Sequence, residues 1–231
     1  MIQRFCGCEK VFILIIFFCG CSIRTDWARQ NLSLKEHLRL GTVNNFCLLD
    51  YDGKSHELYY YSNKRAVVLI WQGNGCPIVR QSISEINQLK EEYKNEGVAF
   101  LMINANPQDD RESIRKEARE YAISIPVLKD NAQIISRDLD VKRTGTAVVV
   151  DVKNGWEVVY KGAINDRWGY ETQKAKAKEE YVRDAIESIL DGKEAKVKTM
   201  EVKGCLIYFE GMNRRYTYTE DVGPVLVKKC L

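Results

Sequence analysis

At 231 residues, with 45% hydrophobic and 29% charged side chains, the chain can bury one substantial core, with one domain as the default and room for a small appendage. Lys and Arg number 35 against 32 Asp and Glu, a formal charge of +3, and the lysines scatter along helices instead of gathering in runs. That balance excludes the electrostatic footprint of a nucleic-acid binder.

In chain order, the first segment stands apart from the core. Arg4 and Lys10 precede the apolar run from Val11 to Phe18, and small residues follow it, which is the layout of an export signal. The run is shorter than the ~20 residues that span a bilayer. "FCGC", Phe18 to Cys21, resembles a relaxed bacterial lipobox in which Cys21 is cleaved, lipidated and left as the new N-terminus, so residues 1–21 read as an export or lipoprotein leader. An ordinary cleaved signal, an uncleaved anchor and a buried helix are the alternatives. The expected location is periplasmic or membrane-anchored. Without residues 1–20 the cysteines are Cys21, Cys47, Cys76, Cys205 and Cys230. They are too sparse for a disulfide scaffold and lack the paired spacing of a zinc site, so no metal or cofactor is implied.

A hairpin-like pair is expected around "DYDGK", Asp50 to Lys54, with Cys47 alternating among strand residues and packing in the core. The continuous apolar run Ala66 to Trp71 predicts a central strand buried on both faces. Val79, Ile83, Ile86, Leu89 and Tyr93 share one helical face, with Gly97 placed to end that helix. Val98 to Asn104 is a second buried strand, and Ile114, Ala118 and Tyr121 follow at helical spacing. Ala147 to Asp151 and Trp156 to Gly162 flank "VKNG" as a hairpin. A last helix presents Tyr181, Ala185, Ile189 and Leu190 inward and ends near Gly192. Together these elements make an α/β fold, a mixed sheet covered by helices.

The chemistry-bearing feature is "GNGCP". Cys76 follows a buried strand, and Pro77 stands at the first helical position, where its missing N–H costs nothing. A thiol there faces free backbone N–H groups and the positive end of a helix dipole, both of which favour the thiolate. The polar, glycine-rich lead-in suggests an exposed turn and hence a reactive thiol, against the alternative of a buried structural cysteine.

Four ordered motifs carry a family resemblance: "GCPIV", Gly75 to Val79; "NANPQ", Asn104 to Gln108; "INDR", Ile164 to Arg167; and "GCLI", Gly204 to Ile207. With the strand and helix order, and with "IPVLKD" and "VVVD" between them, they resemble a thioredoxin-fold redoxin of the alkyl hydroperoxide reductase and thiol-specific antioxidant group. The chain especially resembles bacterial exported members that carry Cys-Pro without the second cysteine, such as the redoxin part of redoxin–cytochrome c fusions. The resemblance implies a thioredoxin-like domain over residues 41–192 and thiol-dependent redox chemistry, with a thiol or disulfide protein, or a small thiol, as partner. It implies Cys76 and Cys205 as the reacting cysteines and Gly75, Pro77, Gly145, Asp166 and Arg167 as surrounding loop residues.

Three departures qualify the likeness. Val79 stands where a second cysteine would complete a Cys-x-x-Cys pair, so Cys76 needs an external thiol or a distant resolver. Cys205 is the candidate, against the alternative of a tail cysteine packing with Leu206, Ile207 and Tyr208. The family's cis-proline position is Gly145, expected to be trans and to leave an open, flexible groove. Leu69 and Gly73 occupy the Pro and Thr positions of a peroxiredoxin's Pro-x-x-x-Thr-x-x-Cys, so the peroxide-binding threonine is missing.

The remaining candidates are weaker. Arg80 and Arg143 are read as solvated surface residues, with supply of a cation to the thiolate as the alternative. Asp166 and Arg167 read as an ion pair fixing their loop. His37 and His56 both lie upstream of the catalytic end, which disfavours a Cys-His-Asp hydrolase. "YTEDVGPVLVKKCL", Tyr218 to Leu231, resembles the entry helix of a c-type cytochrome domain, making residues 193–231 a tail with a truncated cytochrome-like start and suggesting a cytochrome c partner. With no second thiol and no axial histidine, no haem is expected in the chain as given. A non-catalytic redoxin-like binding module and a thiol peroxidase are the competing functional readings.

Overall fold

The computed structural model describes residues 40–169 and 173–209. The leader with Cys21 and the cytochrome-like stretch from Tyr218 lie outside the described residues.

Seven strands form one sheet: β1 Cys47–Asp50, β2 Ser55–Glu57, β3 Ala66–Gln72, β4 Val98–Asn104, β5 Val127–Lys129, β6 Ala147–Asp151 and β7 Glu157–Gly162. Their order is β2-β1-β5-β4-β3-β6-β7. β3, β4 and β5 run parallel, whereas β1 and β2 on one side and β6 and β7 on the other pair antiparallel, giving the mixed sheet expected. Among the described residues four α-helices and a 3-10 turn at Leu58–Tyr61 accompany it: α1 Pro77–Tyr93, α2 Arg111–Glu120, α3 Ile134–Asp138 and α4 Tyr181–Leu190.

Because β3 and β4 are buried on both faces, their alternate side chains feed two cores. Val68, Ile70, Phe100 and Met102 meet the apolar faces of α1, α2 and α4. Val67, Leu69, Trp71, Leu101 and Ile103 meet Leu58, Ile135, Leu139 and Val141 on the other side. Each fully buried aliphatic side chain contributes about 1.5–3 kcal/mol, so the two central strands dominate the apolar stabilisation. On α1 all five apolar residues read as one face are buried. The helix ends at Tyr93, and Gly97, at φ +74°, turns the chain into β4 instead of capping α1 directly.

Three expectations need correction. Cys47 is exposed, with its sulfur 3.0 Å from Ser55 Oγ. The alternation of β1 is real, but its phase turns Phe46 and Asp50 inward, and Asp50 is drawn in by a 2.8 Å contact with the buried His56 ring. On α4 the buried residues are Val182, Ala185, Ile186 and Ile189, so the inward face is rotated and Tyr181 and Leu190 are only half-buried. β5 and α3 were not anticipated as elements, being three and five residues long.

Beyond α4 the chain returns across the sheet. Thr199 bridges Lys161 of β7 in parallel, and Leu206 bridges Arg143 in the loop before β6. Ile207 and Phe209 insert into the second core. Residues 197–209 therefore form a strap over the end of the sheet that carries Cys76.

Candidate active site

The strand-to-helix turn sets the cysteine. Gly75, at φ +76°, adopts a left-handed conformation that favours glycine, and Cys76 follows as the N-cap of α1 with Pro77 in the first turn. Gly75 and Pro77 are exposed as expected, but Cys76 itself is only 2% exposed. The turn is open, and the strap covers the thiol.

Thr144 is the residue that sequence reasoning missed. Its hydroxyl donates to Cys76 Sγ at 3.0 Å, while the Cys205 N–H donates to Thr144 Oγ1 at 3.0 Å and the Thr144 N–H donates to Cys205 O at 2.9 Å. One hydroxyl thus touches the sulfur and holds the strap. Its only sequence signal is its position immediately before Gly145.

Burial pushes the Cys76 thiol up, but hydrogen bonds from Thr144, from the Val79 N–H and from Cys205 outweigh it, and the net shift is downward. Cys205 moves the other way: burial, its hydrogen bond to Cys76 and the charge of that neighbour raise it, against smaller opposing effects of Thr144 and Arg143. Cys76 through its sulfur and Cys205 through its backbone both bond Thr144, and the two free thiols are shifted in opposite directions.

No cis peptide bond occurs among the described residues, so Gly145 is trans, with φ +78° and its N–H donating to Trp71 O at 2.7 Å. The open groove expected there is filled: a Cβ on Gly145 would meet Ile78 at 3.7 Å and Val202 of the strap at 3.8 Å.

The arginines are not free surface cations. Arg80 forks onto Glu117 of α2 with contacts of 2.8 and 2.7 Å, and Glu117 also accepts the Gly75 N–H at 3.1 Å. Arg80 thereby fixes the cysteine loop to α2. Arg143 donates to Gly204 O at 2.8 Å and so holds the strap. Asp166 and Arg167 do not pair with each other. Asp166 binds Lys174 and accepts the backbone N–H groups of Lys178 and Glu179, which holds its carboxyl at about 2. Arg167 pairs with Glu85 on α1, where Asn165 and Trp168 also donate at 3.1 Å each. The loop is anchored as expected, through Glu85 instead of an internal ion pair.

Asn104 and Asn106 of "NANPQ" form a buried polar floor with Asp109, while Pro107 and Gln108 are exposed. Asn104 donates to Gln72 and to Asp109, both at 2.8 Å, and Asp109 accepts the Asn74 N–H at 2.9 Å, tying the cysteine loop to the end of β4. Asn106 donates to the same Asp109 oxygen at 3.2 Å. A Cβ on Gly73 would lie 2.4 Å from Asn106 Nδ2 and 2.7 Å from Thr144 Cγ2. A cavity of about 1170 Å³, lined by residues such as Asn45, Pro107, Lys129 and Ile135, does not include Cys76. It adds nothing to the thiol site.

The sheet order, the cysteine at the N-terminus of the first long helix and the strand-preceding loop facing it define a thioredoxin-fold redoxin. The sequence profile of the AhpC/TSA family matches residues 41–164, and the chain belongs to that family. Its class of chemistry is thiol-dependent redox. A thiol-disulfide oxidoreductase ResA from Geobacillus kaustophilus is 25% identical over 154 residues, covering 66% of this chain and 84% of the relative. Among solved structures, an uncharacterised conserved protein from Geobacillus kaustophilus superposes with a TM-score of 0.67 at 26% identity, covering 75% of this chain and 93% of the other. A protein from Chlorobium tepidum provisionally assigned as a thiol:disulfide interchange protein DsbE shares the fold at a TM-score of 0.51 and 18% identity, over 66% of this chain and 97% of its own.

Proposed function

We propose that the chain is a thiol–disulfide oxidoreductase in which Cys76 is the nucleophile and Cys205 the resolving cysteine. The observation that carries this reading is the single hydroxyl of Thr144 bonded to Cys76 Sγ and to the Cys205 N–H, which sets the backbone of a second cysteine beside an activated thiol. The Cys76 thiolate attacks one sulfur of a client disulfide, forming a mixed disulfide while the other client sulfur leaves with the electron pair and takes a proton from water. Cys205, after losing its proton, attacks Cys76 Sγ, forms the Cys76–Cys205 disulfide and releases the client as a thiol. The client gains two electrons and the cysteine pair loses them, and an external thiol reductant restores the pair.

In this reading Gly75 and Pro77 shape the turn, Gly145 admits the strap, and Asp166 and Arg167 position their loop against α1. Residues 41–192 act as the redoxin domain and residues 193–231 as its tail. The apolar run after Arg4 and Lys10 favours an exported protein, with residues 1–21 as leader and Cys21 as the lipidated membrane anchor; the cytochrome-like stretch favours a cytochrome c partner. Palmitate labelling that disappears in Cys21→Ser tests the anchor.

The functional test is disulfide reduction with a dithiol donor. Cys76→Ser is expected to abolish turnover, and Cys205→Ser, mixed with client disulfide before the donor is added, to accumulate one equivalent of mixed disulfide where the parent releases the client as a thiol. Activity that survives Cys76→Ser would sink the reading.

A further inference from the structure

Residues 201–206 span two fixed points. Upstream, the Lys161 N–H donates to Lys198 O at 2.9 Å and the Met200 N–H to Lys161 O at 3.2 Å. Downstream, Ile207 and Phe209 are 3% and 8% exposed in the second core. Between these points Glu201, Cys205 and Leu206 face solvent, and Leu206 is 69% exposed. What holds this middle stretch is polar: the paired hydrogen bonds with Thr144 and the Arg143 contact to Gly204 O, supplemented by Val202 against Gly145. Its ends rest on apolar burial and on pairing with β7, and its centre on exchangeable hydrogen bonds. That is the construction of a flap hinged at Met200 and Ile207.

The flap lies as an antiparallel partner of the loop, bridging Leu206 to Arg143. It uses the backbone N–H and hydroxyl of Thr144, the groups beside Cys76 that an incoming extended segment would need to seat a cysteine on that sulfur. The register is restrictive, because a Cβ on Gly204 would stand 1.6 Å from Thr144 O. Only glycine can precede the cysteine there.

We propose that residues 201–206 are an internal mimic of the client, and that the client is an extended polypeptide carrying a Gly-Cys sequence that reaches Cys76 by replacing the flap on Thr144. This rests on the assignment of Cys76 as a thiol–disulfide nucleophile, and adds to it the client class and a gate. Docked flap and bound client exclude each other, and Cys76 is shielded until a matching strand arrives.

The test uses the full chain with Cys47→Ser and Cys205→Ser, and with labelling at Cys76 confirmed by peptide mass mapping. Two peptides, differing only as Gly-Cys or Val-Cys, carry thionitrobenzoate as a mixed disulfide. Cys76 attacks the peptide sulfur, the new disulfide forms, and thionitrobenzoate leaves with the electron pair as its coloured anion. The Gly-Cys peptide is expected to react at least about tenfold faster, and equal rates overturn the client assignment. Gly204→Val, which cannot dock the flap, is expected to raise iodoacetamide alkylation of Cys76 at least about tenfold. Unchanged alkylation, together with fast amide exchange at Cys205, overturns the gate. If Gly204→Val does not fold, Val202→Ser is read in the same direction and against the same outcomes. Alkylation without any client reduction by the otherwise unmodified chain overturns the parent assignment and leaves the gate standing.

Discussion

The Thr144 hydroxyl donates to Cys76 Sγ at 3.0 Å while its oxygen accepts the Cys205 N–H at 3.0 Å. A hydrogen bond to a charged acceptor is worth about 1.5–3 kcal/mol, and one pKa unit corresponds to about 1.4 kcal/mol. Thr144→Val, close in shape, is therefore expected to raise the Cys76 pKa by about one to two units, and Thr144→Ser to restore it. The pH profile of Cys76 alkylation checks this, and an unmoved midpoint would refute the assignment.

The same shift has a stability consequence of definite sign. Cys76 is depressed in the folded state, so its contribution is fully present above the unfolded value of about 8.5 and is lost as pH falls through the folded value. Cys205 is raised, so it opposes folding as pH rises above the same unfolded value. Cys205→Ser is thus expected to make denaturant stability rise more steeply from neutral pH to about pH 9 than in the parent, measured by urea titration at several pH values.

Glu117 accepts both Arg80 and the Gly75 N–H, and its own side chain is 8% exposed against 34% for Arg80. Burial pushes its carboxyl up, but Arg80 and Gly75 outweigh that and hold it low. Glu117→Ala leaves a backbone N–H and a guanidinium without this partner. With Arg80 a third exposed, the cost is discounted to about 1–2 kcal/mol. Thermal melting should show the loss, and amide exchange should show Gly75 opening faster, which a purely global destabilisation would not single out.

Val79 is 3% exposed, and its N–H reaches Cys76 sulfur from one turn along the helix. Val79→Cys puts a thiol at i+3, the spacing at which helical side chains meet. In a Cys205→Ser background this change is expected to restore multiple turnover of an insulin-type disulfide substrate. If Cys205→Ser alone turns over as fast as the double variant, the resolving role of Cys205 fails.

Trp71 shows how far the cysteine site can be separated from the core beneath it. Its indole N–H donates to Ser136 Oγ at 2.8 Å, and Ser136 in turn donates to Asp130 at 2.9 Å. Ser136→Ala orphans a fully buried donor at a cost of about 1–3 kcal/mol. A lower melting temperature with an unchanged Cys76 alkylation midpoint is the expected pair of results.

The parts of the fold legible in sequence were those with local signals. β3 announced itself by an unbroken apolar run and α1 by five residues on one face, because both patterns follow from burial of the element itself. Cys47 was misplaced because alternation gives two faces without saying which is inner, and the Asp50–His56 contact decided it. β5 has only three residues, one of them Lys129, a buried cation bonded to Asn104, and so carries no periodic signal. Cys76 and its turn were readable, but Thr144 was not. Its role exists only because β6 returns antiparallel to β3 and lays the preceding loop across the start of α1. The partners of Arg80 and Arg167 were hidden for the same reason, since Glu117 and Glu85 are near them only in the folded chain.

Gly73 closes a route by which this chain might be remade. A peroxidase of the related type would want threonine there, three residues before the cysteine. Yet the first carbon of any side chain at residue 73 collides with Asn106, whose amide is committed to Asp109, and with Thr144, whose hydroxyl is committed to the sulfur. Asn106 can retreat only by giving up its bond to Asp109, and Thr144 only by shifting beside the sulfur. Peroxide reduction is therefore not one substitution away: Gly73→Thr alone should yield a less stable protein and no gain in peroxide consumption, and the two chemistries are separated by at least three residues that must change together.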